Sequence, residues 1–326
     1  MLIVEFLVKR IAQGLLIVAI TSLIIFTILR VVPGDPVRLI VGGMAPDNVV
    51  EKVATKMGLR DPIIVQYARY MAGLARGDLG QSYLRPRSGM IATGGQYIDP
   101  TKSDMAPVTD LILERLPFTL QLGAVALVFA LLLSLPIGIA GGLHQHGWWN
   151  TLAFAVQSIF VSIPNFWLAI ILILFLSVKL NLLPALGYNG FSYVILPAFV
   201  LAVEISPFII RTLTTSLGEV MQAPFIDEGR VRGLSRRRIV YAHALRNAAA
   251  PLVNLLGIQL STLIGGVLVI EYIFDYPGLG NLTVVSVVGR DFPVIQGIAI
   301  TTSAVFVFIN IIVDLVTYLI DPRVEL

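Results

Sequence analysis

Phe225-Ile226-Asp227-Glu228-Gly229-Arg230-Val231-Arg232-Gly233-Leu234-Ser235-Arg236-Arg237-Arg238 lies between two apolar stretches and continues through His243-Ala244-Leu245-Arg246-Asn247 to Pro251. The surrounding segment, 218–251, gathers Arg230, Arg232, Arg236, Arg237, Arg238 and Arg246. Basic residues in loops that flank apolar spans stay on the cytoplasmic side of a membrane. The block therefore orients the chain, with both termini inside. The 271–295 loop then lies outside, carrying Glu271, Asp275 and Asp291 against Arg290. The 141–150 loop, also inside, holds neither Lys nor Arg and adds nothing.

Composition agrees that lipid is the solvent. Of 326 residues, 56% are hydrophobic and 13% charged, about half the charged share of a soluble domain (~25%). The net charge of +3 is spread along the chain, which argues against nucleic acid as a partner. With no cysteine, disulfides, thiolate metal sites and thiol catalysis are excluded. His144 and His146 flank Gln145 with no carboxylate or cysteine nearby, so no metal site is expected there.

A span needs about 20 mainly apolar residues. Six stretches qualify, at roughly 11–32, 118–140, 152–178, 194–217, 252–270 and 296–320. The first follows Lys9-Arg10 but is longer than a signal h-region and lacks a small-x-small cleavage site, so it reads as a retained helix. The chain divides into an N-terminal transmembrane helix (1–32), an extracytoplasmic insertion (33–117) and a core (118–326) with the cytoplasmic loop 218–251. In the insertion, 47–57 and 63–75 have helical spacing, and 85–107, rich in Gly, Pro, Ser and Thr, reads as an irregular loop. In the cytoplasmic loop, 222–232 reads as a short helix that Gly233 ends in a left-handed turn. Ser235 then caps a second helix through about Arg246, and Pro251 marks entry to the next span.

Several short motifs occur in order. They are Gly34-Asp35-Pro36, Gly58-Leu59 with Asp61-Pro62, Gln66-Tyr67, Gly77-Asp78-Leu79-Gly80 with Ser82, and Glu114-Arg115-Leu116-Pro117 with Thr119-Leu120. Ser162-Ile163-Pro164 with Phe166-Trp167, Leu183-Pro184, and the arginine block follow. Glu271 with Ile273-Phe274, Pro277-Gly278-Leu279-Gly280, Asp291 with Pro293, and Asp321-Pro322-Arg323 complete the series. Together they resemble the dipeptide/oligopeptide branch of the ABC importer permeases over nearly the whole length.

The resemblance implies an all-α integral membrane protein with six transmembrane helices, the type I ABC importer permease fold, and a small periplasmic helical insertion after the first span. It implies half of a translocation pore in a bacterial inner membrane, paired with a sister permease as a heterodimer. Two ATPase subunits, carrying ATP and magnesium, would dock on the cytoplasmic loop, and an extracytoplasmic binding protein would deliver peptide or a similar small solute. No cofactor on this chain is implied. The residues carried over to ATPase coupling are Asp227, Glu228, Gly229, Arg232, Gly233, His243 and Pro251. At Gly229 the family pattern has alanine. Gly278, Gly280 and Asp78 are carried over to contact with the binding protein. The bland alternative for the arginines is topology and anionic lipid headgroups.

Within the spans, Glu204 sits near mid-membrane and must face the bundle interior or a water-filled path. It either lines the cargo route, together with Asn165 and Ser162, or is a structural partner of neighbouring polar groups. Proline in Ser162-Ile163-Pro164-Asn165 implies a kink. Arg211 reads as snorkelling to headgroups, and Asp314 as a helix-end structural group. No GxxxxGK[ST], HExxH or GxSxG occurs, so the chain has no catalytic residues of its own. A self-sufficient secondary transporter or channel is the competing reading.

Overall fold

A computed structural model describes residues 2–31, 36–41, 44–87 and 105–320. Gly34, Asp35, most of the 85–107 stretch and the Asp321-Pro322-Arg323 tail lie outside the described residues. In chain order the elements are α1 (Leu2–Val31), α2 (Pro36–Val41), α3 (Asp47–Lys56), α4 (Ile63–Leu74), β1 (Gln81–Pro86), β2 (Met105–Pro107), α5 (Val108–Leu143) and α6 (Trp148–Ser162). Then come α7 (Asn165–Leu172) with a π-helical continuation Ile173–Lys179, α8 (Ser192–Met221), α9 (Pro224–Val231) and α10 (Arg236–Arg238). A second π-helical stretch, Ile239–Ala244, leads into α11 (Leu245–Ile273), followed by α12 (Leu279–Gly289) and α13 (Phe292–Ile320).

Among the described residues, four helices are long and apolar enough to cross a bilayer: Glu5–Val31 of α1, then α5, α8 and Phe292–Thr317 of α13. Counting α6 and α7 as one span bent by 90° gives five. The remaining expected span, 252–270, lies inside α11, where Pro251–Leu260 is a shorter apolar helix among the described residues. The established count is therefore four or five.

The chain forms two compact units. The first comprises Met1–Leu7, Thr119–Tyr276 and Phe306–Leu326. Its centre is α8, which packs on α6, α7 and α11 and buries most of its length, Pro197 and Pro207 included. Close approach of α5 to α8 depends on small residues. A Cβ at Gly142 would lie 2.8 Å from Leu217 Cβ, and one at Gly141 would lie 3.1 Å from Thr214 Oγ1. Gly142→Leu should therefore separate the two helices and cost roughly 1–3 kcal/mol, seen as a lowered melting temperature in detergent; an unchanged value would mean that α5 does not press on α8. Ser134 donates to the Ser206 carbonyl at 3.3 Å, a polar link between α5 and α8.

The second unit comprises Val8–Phe118 and Pro277–Val305. Val37, Val41, Val50, Val53 and Ala54 join α2 to α3. Leu79, Val108, Ile112, Leu279, Leu282, Val294 and Ile298 form a second core. Residues 277–295 thus pack with the insertion, the segment that the charge pattern puts on the same side of the membrane.

Two local expectations change. The edges of 85–107 are not irregular, because β1 and β2 pair antiparallel, with Gln81 opposite Pro107 and Pro86 opposite Met105. No break separates Arg246 from the span that Pro251 enters, because both lie inside the continuous α11. The flanking Ala244, Ala248 and Leu252 are buried, and that packing carries the helix through the proline.

Candidate functional site

The 218–251 segment is built around one buried anchor. Ala223 is extended and Pro224 opens α9, where a missing N–H costs nothing. Ile226 and Gly229, three residues apart, share the buried face. Ile226 packs with Leu217, Ile239, Ala244 and Ala248. The opposite face leaves Asp227, Glu228, Arg230 and Arg232 exposed. Arg230 pairs with Asp227 at 2.9 Å, an exposed pair of little energetic weight.

The turn after α9 is left-handed at Gly233, with φ +76°. Gly233 N donates to Arg230 O at 3.0 Å, and Leu234 N donates to Gly229 O at 3.1 Å. Ser235 caps the next helix by accepting from Arg238 N. His243 is exposed, and its carbonyl accepts from Asn247 Nδ2 at 2.7 Å. Among these charges stand three exposed apolar side chains, Phe225 (41% exposed), Val231 (90%) and Tyr241 (70%).

Gly229 is buried but not crowded. A Cβ there would meet Leu234 and Ile239 at 3.5–3.8 Å, ordinary contact. Gly229→Ala should therefore raise stability by up to about 1 kcal/mol, read as a higher melting temperature of the detergent-purified protein. A lower one would mean that α9 needs the glycine's backbone freedom.

Of the three residues assigned to the cargo route, the structure brings two together. Asn165 stands just after the 90° break, and its Nδ2 donates to Glu204 Oε2 at 3.0 Å. Both are half-buried. Ser162 is exposed and donates back to Ser158 O at 2.7 Å, and no bond joins it to the pair. α6 and α8 also line an open groove of about 490 Å³ that includes the exposed Arg211 in its wall. The groove beside Arg211 is made by α6 against α8, a contact that the sequence alone does not display.

Of the residues carried over to binding-protein contact, Asp78 adjoins Leu79, while Gly278 and Gly280, both buried, flank Leu279 in the same core. Asp78 is exposed and accepts from Gly80 N at 2.8 Å. Gly278 precedes the first turn of α12, and Gly280 is buried. Two buried carboxylates fix this region and the end of α11. Asp291, 1% exposed, accepts from Ser82 Oγ and from Tyr83 N (2.9 Å), pinning β1. Burial holds the Asp291 carboxyl above its ordinary value, although the bonds from Ser82, Tyr83 and Leu84 and the nearby Arg85 pull it down. Burial likewise pushes Tyr83 up to about 12. Glu271, 0% exposed, accepts from Thr119 Oγ1 at 2.7 Å. Tyr276 is also buried, and its hydroxyl donates to Gln121 Oε1 at 3.2 Å. Ser82, Thr119, Glu271 and Asp291 were motif members, whereas Tyr83, Gln121 and Tyr276 were not, and one sequence alone could not pair them.

Comparison with known proteins places these features in context. Residues 134–326 match the family model described as binding-protein-dependent transport system inner membrane component. Residues 3–123 match the model for the N-terminal part of the same system's membrane component. A Brucella abortus protein named for a peptide transport system permease is 33% identical over 327 residues, 98% of each chain. The glutathione transport system permease protein GsiC of Escherichia coli is 32% identical over 321 residues, 98% of this chain and 99% of the relative. Among solved structures, the MetNI methionine ABC transporter in an inward-facing conformation matches with a TM-score of 0.55 at 23% identity, covering 64% of this chain and 96% of that one.

Proposed function

This chain belongs to the binding-protein-dependent transport system inner membrane component family, and from that premise we propose that it is the peptide-importing permease of an ABC transporter, half of a pore completed by a sister permease. The observation that carries the reading is the surface of 218–251. Two short helical pieces, joined by a left-handed glycine turn and anchored through Ile226, present Asp227, Glu228, Arg232 and His243 together with uncovered Val231 and Tyr241. Apolar side chains ringed by charge on a rigid element suit a protein partner better than headgroups alone.

In this reading two ATPase subunits bind here and at the sister's equivalent loop. ATP and magnesium are bound and consumed on those subunits. Six spans follow from α1, α5, the bent α6–α7 pair, α8, α11 and α13, with both termini cytoplasmic in a bacterial inner membrane. An extracytoplasmic binding protein delivers cargo to the insertion and the 277–295 segment, around Asp78, Gly278 and Gly280. Their packing into one unit supports a shared docking face. ATP binding closes the ATPases, α9 carries the motion into the spans, and hydrolysis resets the pore inward.

Glu204 is the group assigned to the route inside the membrane. Glu204→Gln should lower uptake about tenfold or more if the charge meets cargo, with assembly unchanged. Equal uptake in vesicles would reduce Glu204 to a structural partner of Asn165.

The reading as a whole is tested by extracting the tagged chain from native membranes in mild detergent and identifying its companions by mass spectrometry. ATPase subunits and a second permease are the expected companions. The chain alone, or with copies of itself only, would overturn the importer and favour a self-sufficient transporter.

A further inference from the structure

We propose that Arg211 forms a water-filled subsite for the free carboxylate of the cargo, a proposal that rests on the transporter reading above. The groove between α6 and α8 is lined on its polar side by Asn150, Gln157, Ser158, Arg211, Thr214 and Thr215. Phe154 and Phe208 contribute apolar wall. No Asp or Glu is among the lining residues, so the groove around the exposed Arg211 offers hydroxyls and amides but no counter-charge. Among the described residues Arg211 has no hydrogen-bond or ion-pair partner.

Arg211 is the twentieth residue of the 30-residue α8, ten residues short of its end at Met221, and thus about 15 Å along the axis from that end. A bare cation at that depth cannot face hydrocarbon cheaply, and such residues face water-filled cavities or bind ions. The groove's volume and polar lining suit several waters. A planar guanidinium surrounded by neutral donors recognises a carboxylate bidentately, which a lysine would not.

Arg211 also lies seven residues beyond Glu204 on α8, two turns and about 10 Å away along the helix. An extended peptide of three residues spans about the same length. A zwitterionic tripeptide would meet a positive group at one end of this stretch and a negative one, held by Asn165, at the other.

The chain has no cysteine, so Ser158→Cys supplies a single thiol to this subunit at the groove wall. The assembled transporter is placed in neutral phosphatidylcholine nanodiscs and treated with anionic or cationic methanethiosulfonates of matched size. The anionic reagent should react faster by at least about fivefold, the weight of one unit charge about 4 Å away in water. Arg211→Gln in the same background should remove that preference. Excess trialanine should slow the reaction, and its C-terminal amide should not.

An unreactive thiol would mean a dry groove and overturn the proposal, as would a preference that survives Arg211→Gln. Equal effects of acid and amide, or none, would overturn the assignment to cargo. So would slowing that appears only with phosphatidylglycerol in the nanodiscs, which would give the site to a headgroup phosphate. Assembly with ATPases is read separately by co-purification, so failure here does not merge with failure of the transporter reading.

Discussion

Replacing Gly233 with valine is expected to abolish ATP-driven uptake while leaving most of the chain folded in the membrane. Gly233 holds φ +76°, a conformation that costs a side-chain-bearing residue roughly 1–2 kcal/mol, and a β-branched one more. A Cβ there would meet nothing within 4 Å, so the penalty lies wholly in the backbone. The turn relieves it by abandoning the left-handed conformation, and with it the bonds from Gly233 N to Arg230 O and Leu234 N to Gly229 O. α9 would then lose its fixed angle to the capped helix that begins at Ser235. Since only Ile226 and Gly229 seat α9, a small change at the turn becomes a large displacement of its exposed face. Gly233→Asn is the control, because asparagine tolerates the left-handed region. Uptake and binding-protein-stimulated ATP hydrolysis in proteoliposomes check both variants. Near-normal coupling in the valine variant would show that α9 is not the element that transmits force.

That turn was legible in the sequence because its signals are local. A glycine past an eight-residue helix and a serine before Arg236 each act within four residues, and the structure has both. The helix at 47–57 was legible for the same reason, through the spacing of Val50 and Val53, both buried on one face of α3. The charge pattern of 218–251 is likewise a property of adjacent residues. What escaped was non-local. The pairing of β1 with β2 joins segments separated by the 88–104 stretch, and neither strand has an alternating pattern strong enough to announce it. Pro164 announced a kink, but the 90° angle depends on how α6 and α7 each pack against α8. Helix position alone also does not reveal that Arg211 lines a groove between α6 and α8. Asp291 and Ser82, 209 residues apart, are both motif residues whose contact only the fold displays.

That contact carries the second large effect. Asp291→Ala should release β1 and destabilise the unit containing it by about 3 kcal/mol, since the buried Ser82 hydroxyl and Tyr83 amide are left without an acceptor at roughly 1–3 kcal/mol each. The ionised carboxyl itself is costly to bury, which is why its pKa lies above the ordinary 3.8. Removing one partner is nevertheless worse than keeping the strained set. The pH dependence follows with a definite sign. Between 3.8 and the raised folded value, the native state holds the Asp291 proton more tightly than the unfolded chain does. As pH rises through that window, this group withdraws stability, and above the folded value its cost is constant. Asp291→Asn removes the titration, so wild type should gain on the variant as pH falls below the folded value toward 3.8. Thermal melts of both proteins in detergent across that range, with hydrogen exchange at Tyr83 and Leu84 reporting β1, read the effect directly. Parallel melting curves at every pH would mean that Asp291 does not titrate in the folded protein. Unchanged exchange at β1 in the alanine variant would mean that the strand is held by its core, Leu79 and Val108 above all, and not by the carboxylate.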